Sequence, residues 1–158
     1  MLNNTNTFNQ HNHMLFVDNP IGVGFSFTDK DEGYPADEND VAATLATFLM
    51  NFYKSYPQFL PCDFYVMGES YGGKYASALT ALLSRERNNY PMLWKNLKGV
   101  AIGDGLFDPA IQASTWASFG VNVGIMDALV SNSNFRMWDH KSVCLMPNLL
   151  NLGSKQVE

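Results

Sequence analysis

The pentapeptide Gly68-Glu69-Ser70-Tyr71-Gly72 constrains this chain more than any other stretch, because of what stands on either side of it. Before it, Phe64-Tyr65-Val66-Met67 is a short apolar run rich in aromatic and β-branched residues, which predicts a strand. After it, Tyr75, Leu79, Leu82 and Leu83 share one helical face, with Arg85 and Arg87 near the C-terminal end. G-x-S-x-G between a strand and a helix is the nucleophile elbow. The serine sits on a sharp, strained turn, and its hydroxyl projects above the sheet at the helix N-terminus. The glycines two residues to either side are expected to remove side chains that would collide. The backbone N–H of Tyr71 is then aimed where an oxyanion would develop, and such a donor stabilises a transition state by about 3 kcal/mol. The same five letters also occur in plain glycine-rich turns; the flanking strand and helix favour the elbow.

The rest of the chain supplies more elements of the same kind. Met14 to Asp18 reads as a buried strand running into the turn Asn19-Pro20, followed by the glycine-punctuated loop Gly22 to Phe27. Asp37, Glu38 and Asp40 put acid at the start of a helix, where the backbone dipole favours it. Val41, Leu45, Phe48, Leu49 and Phe52 form its apolar face, and Pro57 marks its end. Tyr34, Phe48 and Phe52 are expected in the core. Leu97 to Ile102 reads as a third strand, ended by Gly103-Asp104-Gly105. Ile111 to Gly120 reads as helical, and 132–158 carries no clear element. Strand, helix, strand, helix, strand predicts an α/β protein with a mostly parallel sheet.

Composition removes competing readings. The net charge of -5 leaves no basic face for phosphate backbones, which argues against nucleic-acid binding. No apolar run approaches the ~18–20 residues of a membrane span. The polar start lacks a signal peptide's charged and apolar regions. Asn3-Asn4-Thr5 matches the glycosylation sequon within an Asn-rich tract. His11 and His13 have no companion ligands at zinc spacing, so no metal is expected. Gly22 and Gly24 are not a dinucleotide fingerprint, and no cofactor is implied. Cys62 and Cys144 form no framework; they pair with each other, pair elsewhere or stay free. Charged residues are only 16%, against about a quarter in typical domains, so the surface is either sparingly charged or partly covered by something else.

Three ordered motifs give a resemblance. Gly68-Glu69-Ser70-Tyr71-Gly72-Gly73 resembles the G-E-S-Y-A-G of the serine carboxypeptidases, above all their vitellogenic-like branch, with Gly72 where alanine is usual. Phe16-Val17-Asp18-Asn19-Pro20-Ile21-Gly22-Val23-Gly24-Phe25-Ser26-Phe27 is similar to that family's F-V-D-N/Q-P-V-G-T-G-F-S-F/Y. Gly99-Val100-Ala101-Ile102-Gly103-Asp104-Gly105, then Asp108-Pro109, is similar to its G-I-A-I-G-N/D-G…D-P, and Gly124-Ile125-Met126-Asp127 to its G-L-L-D. The resemblance implies part of an α/β-hydrolase fold lacking the first and last strands of the complete fold. Residues 14–127 would be that partial domain, 1–13 a polar lead and 128–158 an unassigned segment where the cap region would start. It also implies a serine exopeptidase acting on peptides or proteins with a free C-terminus, in the secretory pathway, a lysosome or vacuole, or outside the cell. Ser70 would be the nucleophile and Tyr71 the oxyanion donor and a pocket wall. Glu69 would, when protonated, hold the substrate's terminal carboxylate; a carboxyl facing a carboxylate must keep its proton to donate. Asp104 would either touch substrate or only end its strand, and the second is favoured.

The pattern is incomplete. The family's W-x-N-G-G-P-G loop is missing upstream of Met14, and with it a strand between those matching Met14–Asp18 and Phe64–Met67. The triad acid and histidine should follow Ser70 after further strands. Asp127 and His140 have the right chain order but follow no strand and match no triad position of the family, and solvated loop residues are the favoured reading of both. The chain is therefore expected to be an internal piece of a larger domain, inactive alone and poorly stable by itself. A cooperative melt with native-like near-UV circular dichroism would contradict the last point. Two other readings stay open: an esterase or acyltransferase on the same scaffold, and a non-catalytic truncated product.

Overall fold

The computed structural model describes residues 4–127 and divides into two compact units, one running to Tyr34 and the other starting at Pro35. His140 and Cys144 lie outside the described residues.

In the first unit, Met14 to Asp18 forms no strand. Leu15, Phe16 and Val17 are exposed, Phe16 by 84%. A strand exists only by pairing, and among the described residues this segment has no partner ladder. The glycine loop is nevertheless ordered. Asp18 Oδ2 accepts the N–H of Phe25 at 2.8 Å, and Gly22 N–H donates to the Ser26 carbonyl at 2.7 Å. Gly24 has φ +57°, and a β-carbon there would strike the Asp18 carboxylate, so this turn requires glycine. Tyr34 is 48% exposed, not core; its ring lies against Gly22.

The second unit opens with helix α1, Glu38–Ser55. Asp37 is its N-cap: Oδ1 accepts the N–H groups of Asn39 and Asp40 at 2.8 and 3.0 Å. The Asp40 N–H, more than any other influence, holds the Asp37 carboxyl below its ordinary range. Asp40 Oδ2 returns the favour by accepting from Ala36 N–H at 3.0 Å. The buried face of α1 is Val41, Ala42, Ala46 and Tyr53, with Leu45, Leu49 and Phe52 beside it. Phe48 is rotated outward and 38% exposed. The apolar stripe is thus centred nearer the alanines than the large side chains suggest, because small residues let helices approach closely. Pro57 ends α1 through a short 3-10 turn, Pro57–Phe59, whose Phe59 stacks on Phe52 at 5.8 Å.

Strand β1, Phe64–Glu69, pairs in parallel with β2, Leu97–Gly103. Helices α2, Gly72–Arg85, and α3, Pro91–Asn96, make the crossover that a parallel pair demands. Lys98 is the extra residue of an irregularity between the Phe64–Leu97 and Tyr65–Gly99 pairs. Leu79, Leu82 and Leu83 of α2 meet Leu93 of α3 and the inner face of α1, and both Leu83 and Leu93 are fully buried. Burying one such side chain is worth about 1.5–3 kcal/mol. Phe64 and Val66 pack onto this cluster from β1. Alternate residues of β1 do not: Tyr65 is 65% and Met67 54% exposed. A parallel sheet is normally covered on both faces. Among the described residues helices cover one face, and the two strands are fewer than independent sheets usually have.

Helix α4, Pro109–Asn122, follows the turn after β2, capped by the Asp108 carboxylate on Ile111 N–H at 3.1 Å. It leaves Ile111, Trp116 and Phe119 exposed. None of the helices among the described residues is long and apolar enough to cross a membrane.

Candidate active site

Ser70 stands at the C-terminal end of β1, in the left-handed region with φ +56°. For a side chain larger than hydrogen this conformation costs roughly 1–2 kcal/mol. Three backbone bonds hold it there. Ser70 N–H donates to the Gly103 carbonyl at 2.9 Å, and the Ser70 carbonyl accepts from Gly73 N–H at 3.0 Å and Leu106 N–H at 2.9 Å. The chain then enters α2 at once, with Tyr71 as N-cap residue in helical geometry. Ser70 is exposed, and neither its hydroxyl nor the N–H of Tyr71 has a hydrogen-bond partner among the described residues. The strand, turn and helix expected around the motif are all present.

The glycines divide into required and optional. A β-carbon on Gly68 would overlap the carbonyl of Gly72, so the elbow closes only over glycine at position 68. A β-carbon on Gly72 would meet nothing within 4 Å. The expectation that both flanking glycines avoid a collision therefore holds for Gly68 alone, and the alanine usual at position 72 would fit. Gly73 carries the close approach instead: its β-carbon would stand 2.8 Å from Ile102 Cγ2 and 2.9 Å from Gly105 Cα. Gly105 is confined more tightly still, since a β-carbon there would overlap Ile102 Cγ2. Together they bring the start of α2 against the turn that leaves β2.

That turn contains Asp104, the second non-glycine residue at positive φ, +43°. It directly follows Gly103, the last residue of β2, and reads as the strand's terminator. Glu69 precedes Ser70, is exposed and lies opposite Gly103 in the parallel register. Asp127 is among the described residues and His140 lies outside them, so that pair is not tested by the structure. Residues 35–127 contain no histidine.

Glu38 has a role that reading it as a helix-dipole acid misses. It is buried to 7% exposure, and its Oε1 accepts the hydroxyl of Tyr71 at 2.9 Å. Burial, then the Glu38 hydrogen bond and charge, raise the Tyr71 phenol well above its ordinary range. Tyr75, one turn on, packs edge-on against Tyr71 at 5.1 Å and is also raised, chiefly by burial. The signal was available as phase: Glu38 stands three and four residues before Val41 and Ala42, on the face that goes inward.

The model of the family described as serine carboxypeptidase matches residues 1–149. A probable serine carboxypeptidase CPVL of Dictyostelium discoideum is 45% identical over 121 residues, covering 77% of this chain and 24% of that protein. Its human namesake is 44% identical over 114 residues, 72% of this chain and 24% of that one. A vitellogenic carboxypeptidase of Aedes aegypti is 40% identical over 121 residues, 77% and 25%. Among solved structures, Kex1Δp, a prohormone-processing carboxypeptidase of Saccharomyces cerevisiae, superposes with a TM-score of 0.61 at 30% identity, covering 89% of this chain and 30% of that chain. The fold is accordingly part of an α/β-hydrolase, and the chain spans about a quarter of the length of the curated relatives it matches.

Proposed function

Because this chain belongs to the serine carboxypeptidase family, we propose that it carries the nucleophile portion of a site that removes C-terminal residues from peptides. The observation that carries this reading is Ser70 at φ +56° between β1 and α2, with its hydroxyl exposed. Holding a serine in strained backbone is worthwhile where its oxygen must be presented to a substrate. In the reaction Ser70 Oγ bonds to the scissile carbonyl carbon and gives its proton to a histidine base. The carbonyl oxygen takes the charge against the Tyr71 N–H. The C–N bond breaks, the proton passes to the leaving amine, and water then frees Ser70. Glu69, in its protonated form, holds the substrate's terminal carboxylate. Segment 14–127 acts as the partial hydrolase domain, with peptides as partners and the secretory pathway, lysosome or vacuole, or extracellular space as location.

One second reading is a chain that binds without catalysing, since neither Asp127 nor His140 matches a triad position of the family. Grafting this chain in place of the matching 121 residues of the Dictyostelium relative separates the two. The graft is expected to react with a fluorophosphonate probe at Ser70 and to release free amino acid from a blocked dipeptide, while the 158-residue chain alone stays unlabelled. An unlabelled graft would favour the binding reading. Ester turnover without amino acid release would make the scaffold an esterase or acyltransferase. Labelling of the bare chain would bring Asp127 and His140 back as partners.

A further inference from the structure

The N-cap and first turn of α1 together hold three acids, and two of them do what helix starts need. Asp37 caps the helix N–H groups and Asp40 takes the Ala36 N–H. Glu38 does neither. Its side chain turns inward, Oε1 accepts from Tyr71, and Oε2 is buried with no hydrogen-bond partner among the described residues. Burying a carboxylate with one oxygen unsatisfied costs several kcal/mol, and a glutamine or an apolar residue would avoid most of that. A helix start gives no reason for the arrangement. What the carboxylate touches is the residue immediately after the elbow serine, 33 positions away in the chain.

Tyr71 is thereby fixed at both ends. Its backbone is the N-cap of α2, where its carbonyl accepts Lys74 N–H at 2.9 Å. Its hydroxyl is tied to α1 through Glu38, and its ring rests edge-on against Tyr75. A tyrosine free at its hydroxyl could swing about its first side-chain bond and change the space beside Ser70. One bonded to a buried carboxylate cannot, because the phenol proton would lose a charged acceptor in a poorly solvated place.

We propose that Glu38 is a positioning residue of the acyl-transfer site: through its hydrogen bond to the Tyr71 hydroxyl it fixes the side chain next to Ser70, and with it the peptide whose N–H faces the oxyanion. This rests on the reading of Ser70 as nucleophile. Such pinning matters because misplacement by about 1 Å can cost on the order of 100-fold in rate.

Two measurements test it. In the graft labelled with 13Cζ-tyrosine, one ring signal, identified by its loss in Tyr71→Phe, is expected to stay protonated where ordinary phenols, with pKa about 10, ionise. Glu38→Ala should bring that signal down towards the ordinary range. Glu38→Gln, which keeps an acceptor oxygen but no charge, should fall between. In the graft, Glu38→Ala is expected to slow Ser70 labelling roughly 10- to 100-fold, with Glu38→Gln restoring most of the rate. Tyr71→Phe keeps the ring and the N–H, loses only the hydroxyl, and should be slowed like Glu38→Ala; it carries the test if the alanine variant does not fold. Wild-type labelling rates in Tyr71→Phe, or an unmoved Tyr71 signal in Glu38→Gln, would overturn the positioning role. An unlabelled wild-type graft would instead defeat the nucleophile reading, whatever the ring signals report.

Discussion

In the graft, Gly68→Ala is expected to lower the unfolding free energy by more than about 3 kcal/mol, at the upper end of what overpacking usually costs. The reason is what the added methyl would strike. It would overlap the Gly72 carbonyl and stand 3.0 Å from Gly73 N, all of it backbone in the first turn of α2. A side chain could rotate away, but this turn has no such freedom. Gly73 N–H and Leu106 N–H both bind the Ser70 carbonyl, and Ser70 N–H binds Gly103, so moving Gly72 disturbs bonds to the start of α2, to the end of β2 and to the turn beyond it. Relief would require Ser70 to leave its left-handed conformation, which unmakes the elbow. Gly72→Ala makes the internal comparison. Its β-carbon would point into open space at the start of a helix, where alanine is preferred to glycine by up to about 1 kcal/mol. Urea unfolding of the two variants beside the wild type should therefore give changes of opposite sign. Equal midpoints for Gly68→Ala and the wild type would mean that the turn is not built as described.

The same contrast explains what could be read from the sequence and what could not. The elbow was legible because its neighbours on both sides are local: a strand run of four residues and a helical stripe need no knowledge of distant contacts. β2 and α1 were legible for the same reason. Met14 to Val17 has the composition of a buried strand, but composition records what a segment would do with a partner, and no ladder is offered to it among the described residues. Tyr34 was expected inside for its size, yet a tyrosine lying on a glycine turn stays half-exposed. Glu38 was legible as a helix-start acid and misread as only that. Which of three adjacent acids turns inward depends on the phase set by Val41 and Ala42 and on a tyrosine from another helix. The different standing of Gly68 and Gly72 could not be read at all, since the motif gives both the same letter and only the packing separates them.

Ser70→Gly is expected to separate stability from chemistry at the one residue where they oppose each other. With φ +56°, Ser70 holds a conformation that glycine adopts freely and other residues adopt at a cost of roughly 1–2 kcal/mol. Glycine returns part of that gain, because its unfolded chain has more freedom to lose. Ser70→Ala removes the same hydroxyl but keeps a β-carbon in the left-handed region. Ser70→Gly should therefore be the more stable of the two variants by about 1 kcal/mol. In the graft both should lose acyl transfer to a similar extent, on the order of 10,000-fold or more, since neither has an oxygen to form the covalent intermediate. Thermal unfolding of the two variants, with amino acid release measured in parallel, decides the matter. If Ser70→Gly is no more stable than Ser70→Ala, the left-handed turn is not where the strain resides. If either variant keeps its activity, the nucleophile lies elsewhere. If both results come out as expected, the serine is held against its own preference by Gly68 beneath it and by the bonds from Gly73, Gly103 and Leu106 around it. The elbow's glycine and its backbone bonds would then be the means by which the fold stores strain where a reactive oxygen has to be presented.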